Sequence, residues 1–210
     1  MFSTLSTWYP APGKEGEMLA RGTEFVKERQ ARGERYGLSM RLYSPIGSAI
    51  TLARLFPDLG EIEAAREQNQ ADQSLHDAVA KASALSWAPY TTRLWEYIVP
   101  PGAPGEVKYL QTMYIYPAAG NLGAVRALLT EGVRGDQARQ RRVTLAIDVY
   151  NADGEVFIAS GAYASLSEVG ERRAANMGDH ARIERVTEVN RLCHKRTQFV
   201  LSAIVVAPSQ

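Results

Sequence analysis

The chain has 210 residues, 45% of them hydrophobic, with 24 basic and 23 acidic side chains. A formal charge of +1 offers no electrostatic case for nucleic acid or an anionic membrane as partner, and no run nears the ~20 apolar residues that cross a bilayer. The single cysteine, Cys193, excludes an internal disulfide and a multi-cysteine metal centre, and the opening Met1-Phe2-Ser3-Thr4-Leu5 is not a signal peptide, so a cytoplasmic location is expected.

A first strand is expected from Ser3 to Tyr9, with Leu5, Thr7 and Tyr9 on one face and Trp8 on the other. Pro10, Pro12 and Gly13 end it. A helix follows from about Lys14 to Arg32, and Gly33 stands where a C-terminal glycine stop belongs. A hairpin comes next: Tyr36 to Tyr43, a turn at Ser44-Pro45-Ile46-Gly47, then Ala49 to Phe56. Asp58-Leu59-Gly60-Glu61 is a capping box, opening a long second helix that runs to about Ala84. Thr91 to Val99 reads as the last strand, and Pro100-Pro101-Gly102-Ala103-Pro104-Gly105 as a short, stiff linker.

The same order then returns. Tyr9-Pro10-Ala11-Pro12-Gly13 reappears 107 residues later as Tyr116-Pro117-Ala118-Ala119-Gly120. The same offset carries Gln30-Ala31-Arg32 onto Gln137-Ala138-Arg139, Glu61 onto Glu168, Arg66 onto Arg173 and Asn69 onto Asn176. The second hairpin turns at Asn151-Ala152-Asp153-Gly154. The second capping box is Ser165-Leu166-Ser167-Glu168, its helix runs to about Asn190, and the last strand spans Thr197 to Val206. A long period seen twice is a duplicated domain. The expected division is a first repeat over 1–100, a linker over 101–107 and a second repeat over 108–210. Strand, helix, strand, strand, helix, strand is the split βαββαβ unit. The expected fold class is α+β: two tandem ferredoxin-like units packed sheet to sheet as an internal pseudo-dimer.

Tyr9-Pro10-Ala11-Pro12-Gly13-Lys14-Glu15 resembles the strand, Pro-Gly-Lys, acidic-helix opening of the dimeric α/β-barrel superfamily, in particular its NIPSNAP-like and antibiotic-biosynthesis-monooxygenase-like members. The second copy departs from that pattern, with Asn121 in place of Lys14. The resemblance implies a fused version of what is usually a pair of chains. Members of the superfamily include cofactor-independent oxygenases, isomerases, haem-binding enzymes and proteins with no known activity, so the fold transfers and the reaction does not.

On the long second helix, 100° per residue from Val169 puts Arg173, Asn176, His180 and Ile183 on one side of the second repeat. Ile62, Arg66, Asn69, Gln73 and His76 form the matching set in the first. Facing the sheet, such a set would be a polar anchor at the end of an apolar pocket, with Arg for a carboxylate or enolate and Asn and Gln as donors. The alternative is that Ala65, Leu75 and Val79 mark the buried face and the polar groups its rim. His180 is the candidate base, with Arg173 and Asn176 as catalytic partners. Arg66, Asn69 and Gln73 are the candidate ligand contacts of the first repeat. Trp95 and Tyr97 are further ligand contacts, as one side of an aromatic stripe that also reads as sheet packing.

The run Arg139-Gln140-Arg141-Arg142 reads as a solvated helix end. No metal-ligand spacing is visible, so no metal and no cofactor are expected, although one axial histidine would suffice for haem. The leading functional reading is a protein that binds a small apolar or aromatic molecule in a helix–sheet cleft, as a cofactor-independent monooxygenase or isomerase. The alternatives are a non-catalytic structural or assembly protein with a filled cleft, and a haem-binding protein. A small-molecule ligand is the expected partner, with no nucleic acid and no membrane, and further homo-oligomerisation is open.

Overall fold

The computed structural model describes residues 1–43, 48–102, 105–149, 155–195 and 197–208. The hairpin turns expected at 44–47 and 151–154 lie outside the described residues, as does part of the linker, 103–104. The first repeat contains β1 (Phe2–Pro10), α1 (Glu15–Ala31), β2 (Tyr36–Tyr43), β3 (Ile50–Phe56), α2 (Leu59–Ala71), α3 (Gln73–Ala84) and β4 (Ser86–Val99). The second contains β5 (Tyr109–Ile115), α4 (Leu122–Ala138), β6 (Val143–Asp148), β7 (Val156–Tyr163), α5 (Leu166–Gly178), α6 (His180–Arg191) and β8 (Gln198–Val206). The chain is α+β, and the element order is the same in both halves. No helix among the described residues is long and apolar enough to cross a membrane.

The long second helix of each repeat is two helices, which corrects the sequence reading. Asp72 and Asp179 occupy the same place in the two repeats, and each has an extended backbone, with ψ of 91° and 93°. Each side chain then caps the helix that follows. Asp72 accepts from the Leu75 amide at 3.1 Å and Asp179 from the Arg182 amide at 3.0 Å. Aspartate competes with the helical backbone in mid-helix and satisfies orphan amides at a start, so a break is its natural outcome. The expected caps at Asp58 and Ser165 are present, each accepting from the amide three residues on. β4 is also longer than expected, starting at Ser86 instead of Thr91.

Two compact units form. One comprises Met1–Trp95 with Ser202–Gln210, the other Glu96–Leu201. Each therefore contains the end of the other repeat's last strand. In the first unit β3 is central, antiparallel to β1 and β2, and the end of β8 lies beside β2. In the second unit β7 is central between β5 and β6, and the end of β4 lies beside β6.

One hydrogen-bonding device recurs and accounts for the repeated glutamine. Gln30 Nε2 donates to the carbonyls of Tyr36 (2.7 Å) and Ala207 (2.8 Å). Gln137 Nε2 donates to Val143 (2.9 Å) and Pro100 (2.8 Å). All three pairs of positions are 107 apart. Each amide thus pins the exit of the strand that comes from the other repeat.

The cores match as well. Met18 and Val26 of α1 pack with Leu38 and Ile50, and Val125 and Val133 of α4 pack with Leu145 and Phe157. Burying each such side chain contributes roughly 1.5–3 kcal/mol. α1 and α4 therefore hold one face of their sheets at the same height. α2, α3, α5 and α6 complete the helical side, which is where the two units come to differ.

Candidate functional site

At the C-terminal end of α1, Arg29 is 4% exposed and forms ion pairs with Glu34 (3.1 Å) and Asp72 (2.7 Å). Burial opposes its charge, but hydrogen bonds to the two carboxylates more than offset this and hold its pKa above the usual value. Arg54 pairs with Glu34 at 3.1 Å and lies over the rings of Tyr36 and Phe56, 5.2 and 4.9 Å from their centroids. Phe25 packs edge-on against Tyr36. This end of the first unit is filled with aromatic rings and paired charge.

The second unit carries the same frame with its charge reversed. Asp136 stands at the place of Arg29 and pairs with Arg141, which stands at the place of Glu34. Asp136 also holds Arg182 at 2.8 Å. The bulky residues of the first unit are replaced by small ones: Gly132 for Phe25, Val143 for Tyr36, Gly161 for Arg54. Arg185 leans over Gly132, its Cδ 3.1 Å from where a β-carbon would stand. The Tyr163 hydroxyl would be only 2.7 Å from a β-carbon on Gly161. What is left is a cleft lined by Asp136, Arg141, Arg142, Val143, Ala162, Tyr163, Arg172, Asn176 and Arg182. Its cavity volume is about 30 Å³, enough for a couple of waters.

The cleft is polar and unevenly satisfied. Arg142 pairs with Glu168 at 3.0 Å. Arg141 and Arg182 share Asp136. Arg172 is half-buried and makes no ion pair among the described residues, so four guanidinium groups face two carboxylates. The Asn176 Oδ1 is buried without a hydrogen-bond partner among the described residues. Burial raises the Tyr163 pKa, with Arg172 and Arg182 opposing the rise, so this phenol stays a donor at neutral pH. Its hydroxyl lies 3.4 Å from Gln111 Oε1.

The structure distributes the residues singled out from sequence as follows. Asn176 lines the cleft. Arg173 is exposed, and its neighbour Arg172 takes the inward place. His180 is exposed as the first residue of α6, beyond the break at Asp179, so it does not continue the face of Arg173 and Asn176. In the first unit Ala65 is buried, Asn69 half-buried, and Arg66 and Gln73 exposed. Trp95 is 8% exposed in the first unit; Tyr97 is half-buried and falls in the second. Arg141 and Arg142, expected as part of a solvated helix end, are half-buried in the cleft, while Arg139 and Gln140 are exposed. The sequence reading thus missed Arg172, Arg182 and Asp136. Their signal lay in the repeat comparison, where arginines replace Ala65 and Leu75 as glycines replace Phe25 and Arg54.

No protein-family model matches the chain, and no curated protein matches it. Solved structures do. A candidate monooxygenase of Fusobacterium nucleatum superimposes over 100% of this chain and 97% of its own, at 8% identity and a TM-score of 0.76. A candidate monooxygenase of Lactobacillus acidophilus covers 99% and 95%, at 10% identity and 0.73. An anthrone oxidase-like protein covers 97% and 91%, at 14% identity and 0.65. Identities this low establish the fold and nothing finer. The shared fold is the dimeric α/β-barrel fold expected from the sequence.

Proposed function

We propose that this chain binds a small, partly aromatic molecule in the helix–sheet cleft of its second unit, as a cofactor-independent monooxygenase or isomerase. The observation that carries the reading is the buried, unpartnered oxygen of Asn176 in an open, polar cleft. Such an atom costs about 1–3 kcal/mol unless a donor reaches it. A ligand hydroxyl would supply that donor. The structural likeness to candidate monooxygenases and an anthrone oxidase-like protein supports the reaction class. In that class the substrate's own enol or phenol supplies the reactivity. The cleft offers what such a reaction needs: cationic groups beside the developing oxyanion, and a protonated Tyr163 to donate to it.

Arg173 and His180, both exposed, are proposed to meet the solvent-facing end of the ligand, with His180 as the base. Arg66, Asn69, Gln73, Trp95 and Tyr97 do not line this cleft, and contacts from them are proposed only for a ligand that reaches beyond it. Titration with 1-naphthol, followed by calorimetry, tests the reading. Saturable binding that weakens about tenfold in Asn176→Ala, with no fall in melting temperature, is the expected result. Absence of binding, together with no co-purified small molecule in native mass spectrometry, would refute it.

A further inference from the structure

We infer that the ligand carries an oxyanion charged at neutral pH, of the carboxylate class, and that each chain binds one such ligand rather than two. The inference rests on the cleft reading above and adds the charge and the stoichiometry.

The charge follows from pairing. A buried or half-buried arginine normally sits against a carboxylate, because removing its charge from water unpaired is costly. Arg29, Arg54, Arg141, Arg142 and Arg182 all obey this. Arg35, Arg41 and Arg172 are half-buried with no ion pair among the described residues, and of these Arg172 lines the cleft. Asp136, the one acid lining the cleft, is already shared by two arginines. No carboxylate among the described residues supplies the counter-charge of Arg172, so an anion from outside the chain fills that place. A planar guanidinium matches a planar carboxylate in two parallel hydrogen bonds. The enclosed volume suits the acidic group alone, so the ligand's body would lie toward the mouth.

The stoichiometry follows from comparing the repeats. A duplication should give two sites. The first unit, however, puts Ala65 where Arg172 stands, Leu75 where Arg182 stands, and fills the vacated space with Phe25, Tyr36 and Arg54. Arg29 is closed on Glu34 and Asp72, and Arg54 on Glu34. Arg35, at the place of Arg142, makes no ion pair among the described residues, but with the space filled an anion has no room there.

The experiment is a calorimetric titration of the full chain with sodium benzoate and, separately, benzyl alcohol, at two salt concentrations. Millimolar benzoate binding at one per chain, at least about tenfold weaker in Arg172→Gln, is the expected result. Arg21→Gln, a change at an exposed arginine of α1 outside the cleft, leaves benzoate affinity within about twofold. Two benzoates per chain would overturn the single-site inference. Benzyl alcohol binding as well as benzoate, with Arg172→Gln unaffected, would overturn the anion while leaving the cleft reading intact. Binding of neither probe would take both down. If Arg172→Gln fails to fold, Arg172→Lys replaces it: loss of the two-pronged geometry with the charge kept still weakens benzoate, and unchanged affinity counts against the pairing.

Discussion

Asp72 does two jobs, and its chemistry separates them. It caps α3 through the Leu75 amide and pairs with the buried Arg29. Hydrogen bonds from Ser74 and Arg29 and the Leu75 amide hold its carboxyl well below the ordinary value of 3.8. A carboxyl lowered in the folded state binds protons more readily in the unfolded chain, so its stabilisation is full above about pH 4 and is lost as pH falls toward the folded value. Asp72→Asn should keep the cap and lose the charge, flattening the acid limb of a stability–pH curve measured by urea unfolding. Asp72→Ala should lose both, and so cost more than Asp72→Asn. Equal costs would mean that the cap contributes nothing. A second residue stands out for its backbone. Gln140 has a φ of 58°, at the place where the first repeat has Gly33 at 81°. A left-handed non-glycine residue is strained, so Gln140→Gly should raise the urea midpoint, by up to about 1 kcal/mol in stability.

At the scale of elements, the repeat made the strands, the first helices and both capping boxes legible, because each signal occurs twice in independent residue types. The split second helix was not legible. Asp72 and Asp179 are aligned aspartates inside strong helical patterns, and periodicity alone passes over a one-residue break. That oversight carried into the candidate site: a face drawn at 100° per residue through position 179 joins His180 to Arg173, which the break uncouples. Asn176 survived because it precedes the break. The arginines of the cleft were hidden for another reason. Arg141 and Arg142 follow α4 in a run that composition assigns to solvent, and only their partners, Asp136 and Glu168, show them to be half-buried. Gly37 tests element packing. A β-carbon there would meet the Pro208 ring at 2.7 Å. Gly37→Ala should cost about 1–3 kcal/mol in chemical denaturation, since a proline ring against backbone has little freedom to yield.

For the whole molecule, we propose that the repeat boundaries, 1–100 and 108–210, mark units of inheritance, whereas the compact units cut across them. Each compact unit contains strand residues from both repeats. Residues 1–102 and 105–210, made as separate chains, should therefore co-purify as a heterodimer in size-exclusion chromatography with native mass spectrometry. Two well-folded monomers that ignore each other would count against strand exchange as a source of stability. The reversed ion pairs, Arg29–Glu34 and Asp136–Arg141, add a second lesson at this scale. What the duplication preserved is the place of a charge pair and not its sign, as expected of scaffolding. What it did not preserve, the glycines and the extra arginines of one half, is where specialisation shows.

The glutamine clamp has a practical corollary for anyone handling the protein. Because Gln30 holds the Ala207 carbonyl and Gly37 abuts Pro208, Ala207 and Pro208 are fittings of the N-terminal half. A tag joined directly after them, or a trim that removes them, would loosen the clamp at Gln30, 177 positions upstream of Ala207.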